Sequence, residues 1–448
     1  MTAFRVVFLV ENMSFPRDRR VRQEAAALQG QGAEVSVICP RGKEHDTAAF
    51  EIVDGVRVYR YRQPWNGSGA FSYVAEYCWA MLCAFLLILR IWTTAGFDVL
   101  HVANPPDLFV GLAAPLRLLG KKIIYDQHDL CPEMFEAKFG RRDGFLYAAL
   151  LFLERWSYRL ADLIIVTNES FRDIAIERGK APADKVCIVR NGPDLDKFRA
   201  VPPCPVLKRG AAYLAVYVGV MGKQDGVDRV LLAAQHIICV RHRQDIRFAL
   251  LGTGECFDEL KRLSHSLGID SHIDFVGWVG DADLLAYLCT ADVCLAPDPP
   301  VRMNQLSTMI KIMEYMSCKK PIVSFDLLES KRSAGPAAVY VEAGDPALFG
   351  DAVLNLMDDA QKRKQLGEVA WERMQTGLQW ARSREVLWAG YERLLGKRRV
   401  PIRPLTTRSG VVGDGAGFHS RVTGSSNRLL WKGRPEDESE RFGNHTRL

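Results

Sequence analysis

The segment Ser307-Thr-Met-Ile-Lys311-Ile-Met-Glu314-Tyr-Met-Ser-Cys-Lys-Lys-Pro321-Ile-Val-Ser-Phe-Asp326 decides the fold, because it reads as a helix followed at once by a strand. Ser307 and Thr308 are placed to cap the helix, and Met309, Ile312, Met313 and Met316 fall on one face at helical spacing. Lys311 and Glu314 then share the opposite face, one turn apart. A phosphate at the helix start would have Lys311 beside it, leaving Glu314 to hold a sugar hydroxyl. Taken alone, the segment reads more simply as an amphipathic helix with a solvated Lys–Glu pair. Its neighbours along the chain decide between the two.

Outward from it, short runs rich in Val, Ile and Leu alternate with longer helical patterns, the signature of parallel sheets with crossover helices. The first half predicts strands at 6–10, 34–38, 99–102, 122–125, 163–167 and 186–189; the second, at 214–219, 246–251, 272–276, 293–296 and 321–324. Between them lie Arg190-Asn-Gly-Pro-Asp194 and Val201-Pro-Pro-Cys-Pro205, which concentrate helix- and strand-breaking residues and place a domain boundary near residue 200. The expected organisation is an α/β protein with a Rossmann-like domain over 1–198, a second over 199–380, a returning helix over 381–396 and a disordered basic tail over 400–448. In such folds ligands sit beyond the carboxyl ends of the strands, so function is sought in the loops that follow them.

Of 448 residues, 48% are hydrophobic and 25% charged, enough for full-sized cores. Residues 397–448 carry 11 Lys and Arg against 5 Asp and Glu, which accounts for the whole net charge of +6. A neutral body gives no reason to expect a nucleic-acid partner. Eleven cysteines occur without zinc or redox spacing, as expected of reduced thiols in a cytoplasmic protein. The run at 4–10 is too short for a signal sequence and reads as a buried first strand. Residues 77–92 are the most apolar stretch, yet span 16 residues and contain Arg90. A buried crossover helix is the simpler reading, while Trp79 and Trp92 keep open a helix partly inserted in a membrane surface.

Several loops after strands carry chemistry. Arg17, Arg19, Arg20 and Arg22 crowd the junction after the first strand, which calls for a phosphorylated ligand or for pairing with Asp18 and Glu24. His128, in Asp126-Gln-His-Asp129, stands at a strand end where it can donate to a sugar hydroxyl or phosphate, or else be satisfied by Asp126 or Asp129. Gly219-Val-Met-Gly222-Lys223-Gln-Asp-Gly226 brings backbone close to a bound group and adds one cation, without a Walker ending. Gly252 and Gly254 end the next strand similarly. The pairs Asp194/Asp196 and Asp281/Asp283 read as a turn and a helix cap rather than a metal–diphosphate site, and no histidine has metal-ligand spacing.

In order and spacing, these segments, together with Ala161-Asp-Leu-Ile-Ile-Val-Thr-Asn168, Asn191-Gly-Pro-Asp194, Phe275-Val-Gly277 and Ala291-Asp-Val-Cys-Leu-Ala-Pro297, resemble glycosyltransferase family 4 over about residues 4–396. The resemblance is to a bacterial branch that makes surface polysaccharides. It implies a GT-B fold, two Rossmann-like domains facing across a cleft, and sugar transfer from a nucleotide-sugar with retention of configuration. It also implies that the last helix packs back on the first domain. By the same resemblance, Glu314 holds the nucleotide ribose, Lys223 and Lys311 neutralise the diphosphate, and His128 contacts the transferred sugar or its phosphate. Gly219, Gly222, Gly252, Ser307 and Thr308 line the donor site, with no metal or other cofactor. Leu306, Val220 and Asp225 depart from the pattern, standing where many members have a first glutamate and the arginine and lysine of the diphosphate clamp.

The leading expectation is a retaining sugar transferase, cytoplasmic and peripheral on the inner membrane, acting on a lipid-linked or glycan acceptor. The departures favour an alternative, a nucleotide-sugar-binding or assembly subunit without turnover. A nucleotide-sugar epimerase of similar architecture would need cleft carboxylates suited to elimination and readdition, and no such set stands out.

Overall fold

Short β-branched runs become two sheets because each is apolar on both faces and must be covered by helices on both sides. The structure, a computed structural model, describes residues 4–42, 45–64, 70–196, 198–342 and 344–396. The basic tail expected to be disordered lies outside the described residues.

The first sheet contains β1 (Arg5–Leu9), β2 (Glu34–Pro40), β3 (Phe50–Val53), β4 (Val56–Tyr61), β5 (Val99–Ala103), β6 (Lys122–Gln127), β7 (Leu163–Val166) and β8 (Val186–Ile188). The second contains β9 (Tyr213–Val218), β10 (Ile246–Leu251), β11 (Ile273–Gly277), β12 (Val293–Ala296), β13 (Ile322–Phe325) and β14 (Ala338–Val341). Their orders are β3-β4-β2-β1-β5-β6-β7-β8 and β11-β10-β9-β12-β13-β14. All neighbours are parallel except the β3–β4 hairpin. That hairpin was not anticipated, although Asp54-Gly55, both at positive φ, is the two-residue turn such a hairpin needs. Strand β14 was also missed.

Each sheet reverses its winding once, with β1 between β2 and β5 and β9 between β10 and β12. Such switch points open a crevice at the carboxyl ends of the strands. Helix Trp380–Leu395 then crosses back to the first sheet, where Leu387 and Tyr391 join Phe4, Val6 and Phe8 in one buried cluster.

Residues 77–92 lie within the helix Ala70–Thr94, which is not the buried crossover that their composition suggested. Ala80, Ala84, Ile88 and Ile91 face the sheet, whereas Leu82, Phe85 and Leu86 are exposed. Its segment Ala75–Thr94 is apolar enough to cross a membrane by length and composition, with mean hydropathy 1.6 and 22% of it buried. Its inner face is committed to the sheet, so the helix lies along the domain. Trp79 and Trp92 are half-buried rather than prominent, and Trp79 Nε1 donates to the Arg62 carbonyl at 2.7 Å.

Candidate active site

The switch point of the second sheet places the loop after β9 beside the end of β12. Gly219 has φ +154° and Gly252 +125°, and a Cβ on Gly252 would lie 1.9 Å from the Gly219 carbonyl oxygen. The loops after β9 and β10 therefore meet backbone to backbone, which side chains at these positions would prevent. Beneath them runs helix Ile310–Ser317, on which Lys311 through Ser317 are all buried. Lys311 Nζ bonds Asp298 Oδ1 at 2.7 Å and lies 4.7 Å from the centre of the Tyr217 ring. Its Cε would be 3.3 Å from a Cβ on Gly219, so the missing side chain there leaves the lysine open to the loop.

Burial pulls the Lys311 ammonium down, but Asp298 and Asp225 more than offset this and its pKa is raised, keeping it charged. Asp225 accepts from the Gly222 N–H at 3.0 Å. Burial pushes its carboxyl up to about 6, with Lys311 opposing. Lys223 is exposed at the tip of the same loop. Glu314, one turn beyond Lys311, is raised by burial, with Arg19 opposing. Arg19 comes from the first domain: its Nη1 meets Glu314 Oε1 and its Nη2 meets Asp281 Oδ1, each at 3.1 Å.

Three local expectations are corrected here. Ser307 and Thr308 do not cap the helix; Met309 is the N-cap residue, and Thr308 Oγ1 instead accepts from Asn168 Nδ2 at 3.0 Å. Lys311 and Glu314 are not a solvated pair on a polar face, since each is buried and turned to its own partner. Asp281 does not cap its helix, which starts at Gly280 without a side-chain bond, but reaches across to Arg19. Asp194 accepts from the Asp196 N–H at 3.1 Å, as a turn would have it.

Across the cleft, helix Arg19–Gln29 is capped by Asp18, which accepts from the Val21 N–H at 3.0 Å. Of the arginines before and within it, Arg17 meets Asp46 at 3.3 Å, Arg20 meets Asp126 at 2.6 Å and Glu24 at 3.3 Å, and Arg22 is exposed. Asp126 Oδ2 also bonds His128 Nε2 at 2.6 Å and lies 3.5 Å from His101 Nε2. His101 Nδ1 in turn bonds the Tyr391 hydroxyl at 2.8 Å. Burial raises the Asp126 carboxyl, yet Arg20 and His128 outweigh it and hold the group well below the usual range. For His128 burial lowers the pKa and Asp126 more than restores it, so the imidazole leans towards its charged form. Glu24 is pushed up to about 8 by burial and by Asp126.

Donor atoms of Glu24, His101 and Asp126 lie within 4.8 Å of one another, close enough to hold a metal. The Arg20 guanidinium already meets both carboxyl groups, so the cluster is better described as an ion network. Of the sequence-predicted residues, Gly219, Gly222, Gly252, Lys223 and Lys311 gather at one switch point, with Glu314 one helical turn away. His128 belongs to the facing sheet and carries an aspartate partner.

Residues 18–192 match the glycosyl transferase 4-like domain, and residues 212–359 match glycosyl transferases group 1. The chain belongs to the group 1, family 4-like glycosyltransferases. It is 25% identical to phosphatidyl-myo-inositol mannosyltransferase of Mycobacterium leprae over 345 residues, covering 75% of this chain and 82% of that one. Sucrose-phosphate synthase of Thermosynechococcus elongatus superposes with TM-score 0.73 at 17% identity, over 88% of this chain and 99% of that one. Anabaena HepE, solved with UDP-glucose, gives 0.63 at 14% identity over 87% and 99%. These two structures establish the GT-B architecture.

In this glycosyltransferase the region of Leu306 is turned towards the first domain. Leu306 packs against the first-sheet core, its carbonyl accepts from Asn168 Nδ2 at 2.8 Å, and Arg302 Nε meets Glu133 at 3.2 Å. Val220 is exposed on the glycine loop, and its carbonyl accepts from the Tyr217 hydroxyl at 2.6 Å. The sequence reading missed Asp298 and the particular role of Arg19. Asp298 stands two residues beyond the end of β12, and the strand-end rule that singled out His128 would have found it too.

Proposed function

We propose that this glycosyltransferase moves a sugar from a nucleotide-sugar to a membrane-associated, lipid-linked acceptor with retention of configuration. One observation carries the reading: a single buried helix presents Lys311 under a glycine loop and Glu314 one turn further on, at the switch point of the second sheet. Lys311 and Lys223 meet the diphosphate, and Glu314 exchanges Arg19 for a ribose hydroxyl. As the sugar–phosphate bond breaks, negative charge grows on the departing diphosphate, where the two lysines stabilise it. That diphosphate then takes the acceptor's proton, so no dedicated base is needed. His128, held by Asp126, donates to the transferred sugar or its phosphate.

Cationic side chains take the charge that a metal would otherwise meet, so chelators should leave turnover unchanged. The mannosyltransferase of a phosphatidylinositol and the UDP-glucose complex of HepE support a lipid acceptor and a nucleotide-sugar donor. The exposed apolar face of Ala70–Thr94 supports work at a membrane surface. A second reading, binding without turnover, is favoured by Asp298 and Asp225 competing for the Lys311 charge and by Leu306 facing away from the glycine loop. Incubation with UDP-, GDP- and dTDP-sugars separates the two, with the anomeric configuration of the product read by NMR. Donor binding without hydrolysis or transfer from any of them would establish the second, and an inverted product would end the retaining mechanism.

A further inference from the structure

The helices Ala70–Thr94, Ala113–Leu118 and Gly144–Leu160 cover the same side of the first sheet and share one core with it. Their outward faces are unusually apolar. Leu118 is 90% exposed, Phe145 86% and Phe152 66%, beside the Leu82, Phe85 and Leu86 face. Soluble surfaces scatter such residues singly, and a concentration on one side of a domain marks an interface.

The most telling part is the turn between helices Cys131–Phe139 and Gly144–Leu160. It reads Lys138-Phe-Gly-Arg-Arg-Asp-Gly-Phe-Leu146, and every one of these residues is exposed. Phe139, Phe145 and Leu146 stand among Lys138, Arg141 and Arg142, against a single acid, Asp143, within the turn. Arg142 also meets Glu136 at 2.6 Å. Apolar residues interleaved with excess basic ones match a surface that is greasy inside and anionic outside. Position adds a second argument. Helix Cys131–Phe139 begins just after His128, at the carboxyl end of β6, and its nine residues reach about 13 Å. The turn therefore ends a helix that starts in the cleft, where Glu133 meets Arg302 of the second domain at 3.2 Å.

We propose that the Phe139–Leu146 turn is a membrane-docking wedge: its phenylalanines and leucine enter the acyl boundary of an anionic monolayer while Arg141 and Arg142 meet the headgroups. This deepens the reading of a membrane-associated acceptor and rests on it. With the wedge seated, the cleft opens at the lipid surface, and a lipid-linked acceptor reaches His128 without leaving the bilayer entirely.

Full-length protein is tested by co-sedimentation with vesicles of phosphatidylcholine alone and of phosphatidylcholine mixed with phosphatidylglycerol. Phe139→Ser with Phe145→Ser should lower partitioning about tenfold with nucleotide-sugar affinity unchanged, and Phe145→Ser alone, which leaves the Phe139–Phe135 ring contact in place, should lower it with the thermal midpoint also unchanged. Arg141→Glu with Arg142→Glu should abolish only the preference for the anionic vesicles. If the phenylalanine variant partitions like the unaltered protein while Leu82→Ser with Phe85→Ser does not, the wedge is wrong and the membrane reading stands. If the unaltered protein binds neither vesicle, both fall, whereas loss of nucleotide-sugar hydrolysis in solution bears on the transferase reading alone. A concentration-dependent dimer that dissociates in the phenylalanine variant, seen by sedimentation velocity, would assign the face to a second copy and overturn the wedge.

Discussion

One basic side chain stands at the carboxyl end of each sheet with an aspartate against it, and the two are held very differently. His128 shares Asp126 with Arg20 and His101, in a network that runs on to Glu24 and Tyr391 and ties together two helices, two strands and a loop. Lys311 has Asp298, whose second oxygen is buried without a hydrogen-bond partner, and above it a loop stripped of side chains. The first arrangement spends its charge on holding the fold together. The second sets its charge under a loop without side chains, and the proposed donor site in the second domain rests on that contrast.

Removing the aspartates tests this contrast most strongly. Asp126→Ala removes the nearer of the two carboxylates that meet buried Arg20 and leaves it Glu24 alone at 3.3 Å, and denaturant unfolding should show a loss of about 3–5 kcal/mol. Asp298→Ala, which strands one lysine beside a polar loop, should cost about 1–3 kcal/mol. Equal losses would erase the distinction.

Donor binding should show the reverse asymmetry. Lys311→Ala should weaken nucleotide-sugar binding by about 1.5–3 kcal/mol in calorimetry, and Lys223→Ala by about 1 kcal/mol or less because it is exposed. His128→Ala should affect transfer more than donor affinity.

Two pH effects separate the sites further. Glu24 is pushed up to about 8, so folding binds a proton that the unfolded chain has released above the ordinary carboxylate range. Stability should be full below that range and decline as pH rises towards 8, and Glu24→Gln should flatten the decline in thermal melts. Asp225, at about 6, acquires charge near Lys311 above that pH. Affinity for a nucleotide-sugar should therefore rise as pH falls through 6, and Asp225→Asn should hold it at the higher value throughout.

The smallest effect concerns Arg19, whose side chain is 61% exposed. Arg19→Ala frees Glu314 for the ribose and should tighten donor binding by less than about 1 kcal/mol. Weaker binding in stopped-flow titration would mean that Arg19 contacts the donor rather than competing with it.

Much of the architecture was legible because strands buried on both faces announce themselves as unbroken apolar runs, as at 163–166 and 293–296. The β3–β4 hairpin, at the sheet edge and partly exposed, lacks that signal and was recognisable only from Asp54-Gly55. Lys311 and Glu314 were found through spacing, but their burial was not, because helical periodicity cannot distinguish a solvent-facing stripe from one facing a second domain. Long-range partners such as Arg19 with Glu314, separated by 295 positions, follow from how the domains meet and leave no local trace. The helix at 70–94 misled for the opposite reason: its apolar composition implies burial, yet the sheet has room for only one of its faces.

The return of helix Trp380–Leu395 to the first sheet has a consequence for biosynthesis. Leu387 and Tyr391 complete a cluster that starts at Phe4, so the earliest strands to leave the ribosome wait for a helix that begins only at Trp380. Until then His101 lacks its hydroxyl partner and one face of the sheet has only helix Arg19–Gln29 as cover. The first domain, though translated first, is the last to be sealed, and the nascent chain carries an open apolar stripe through nearly the whole of its synthesis.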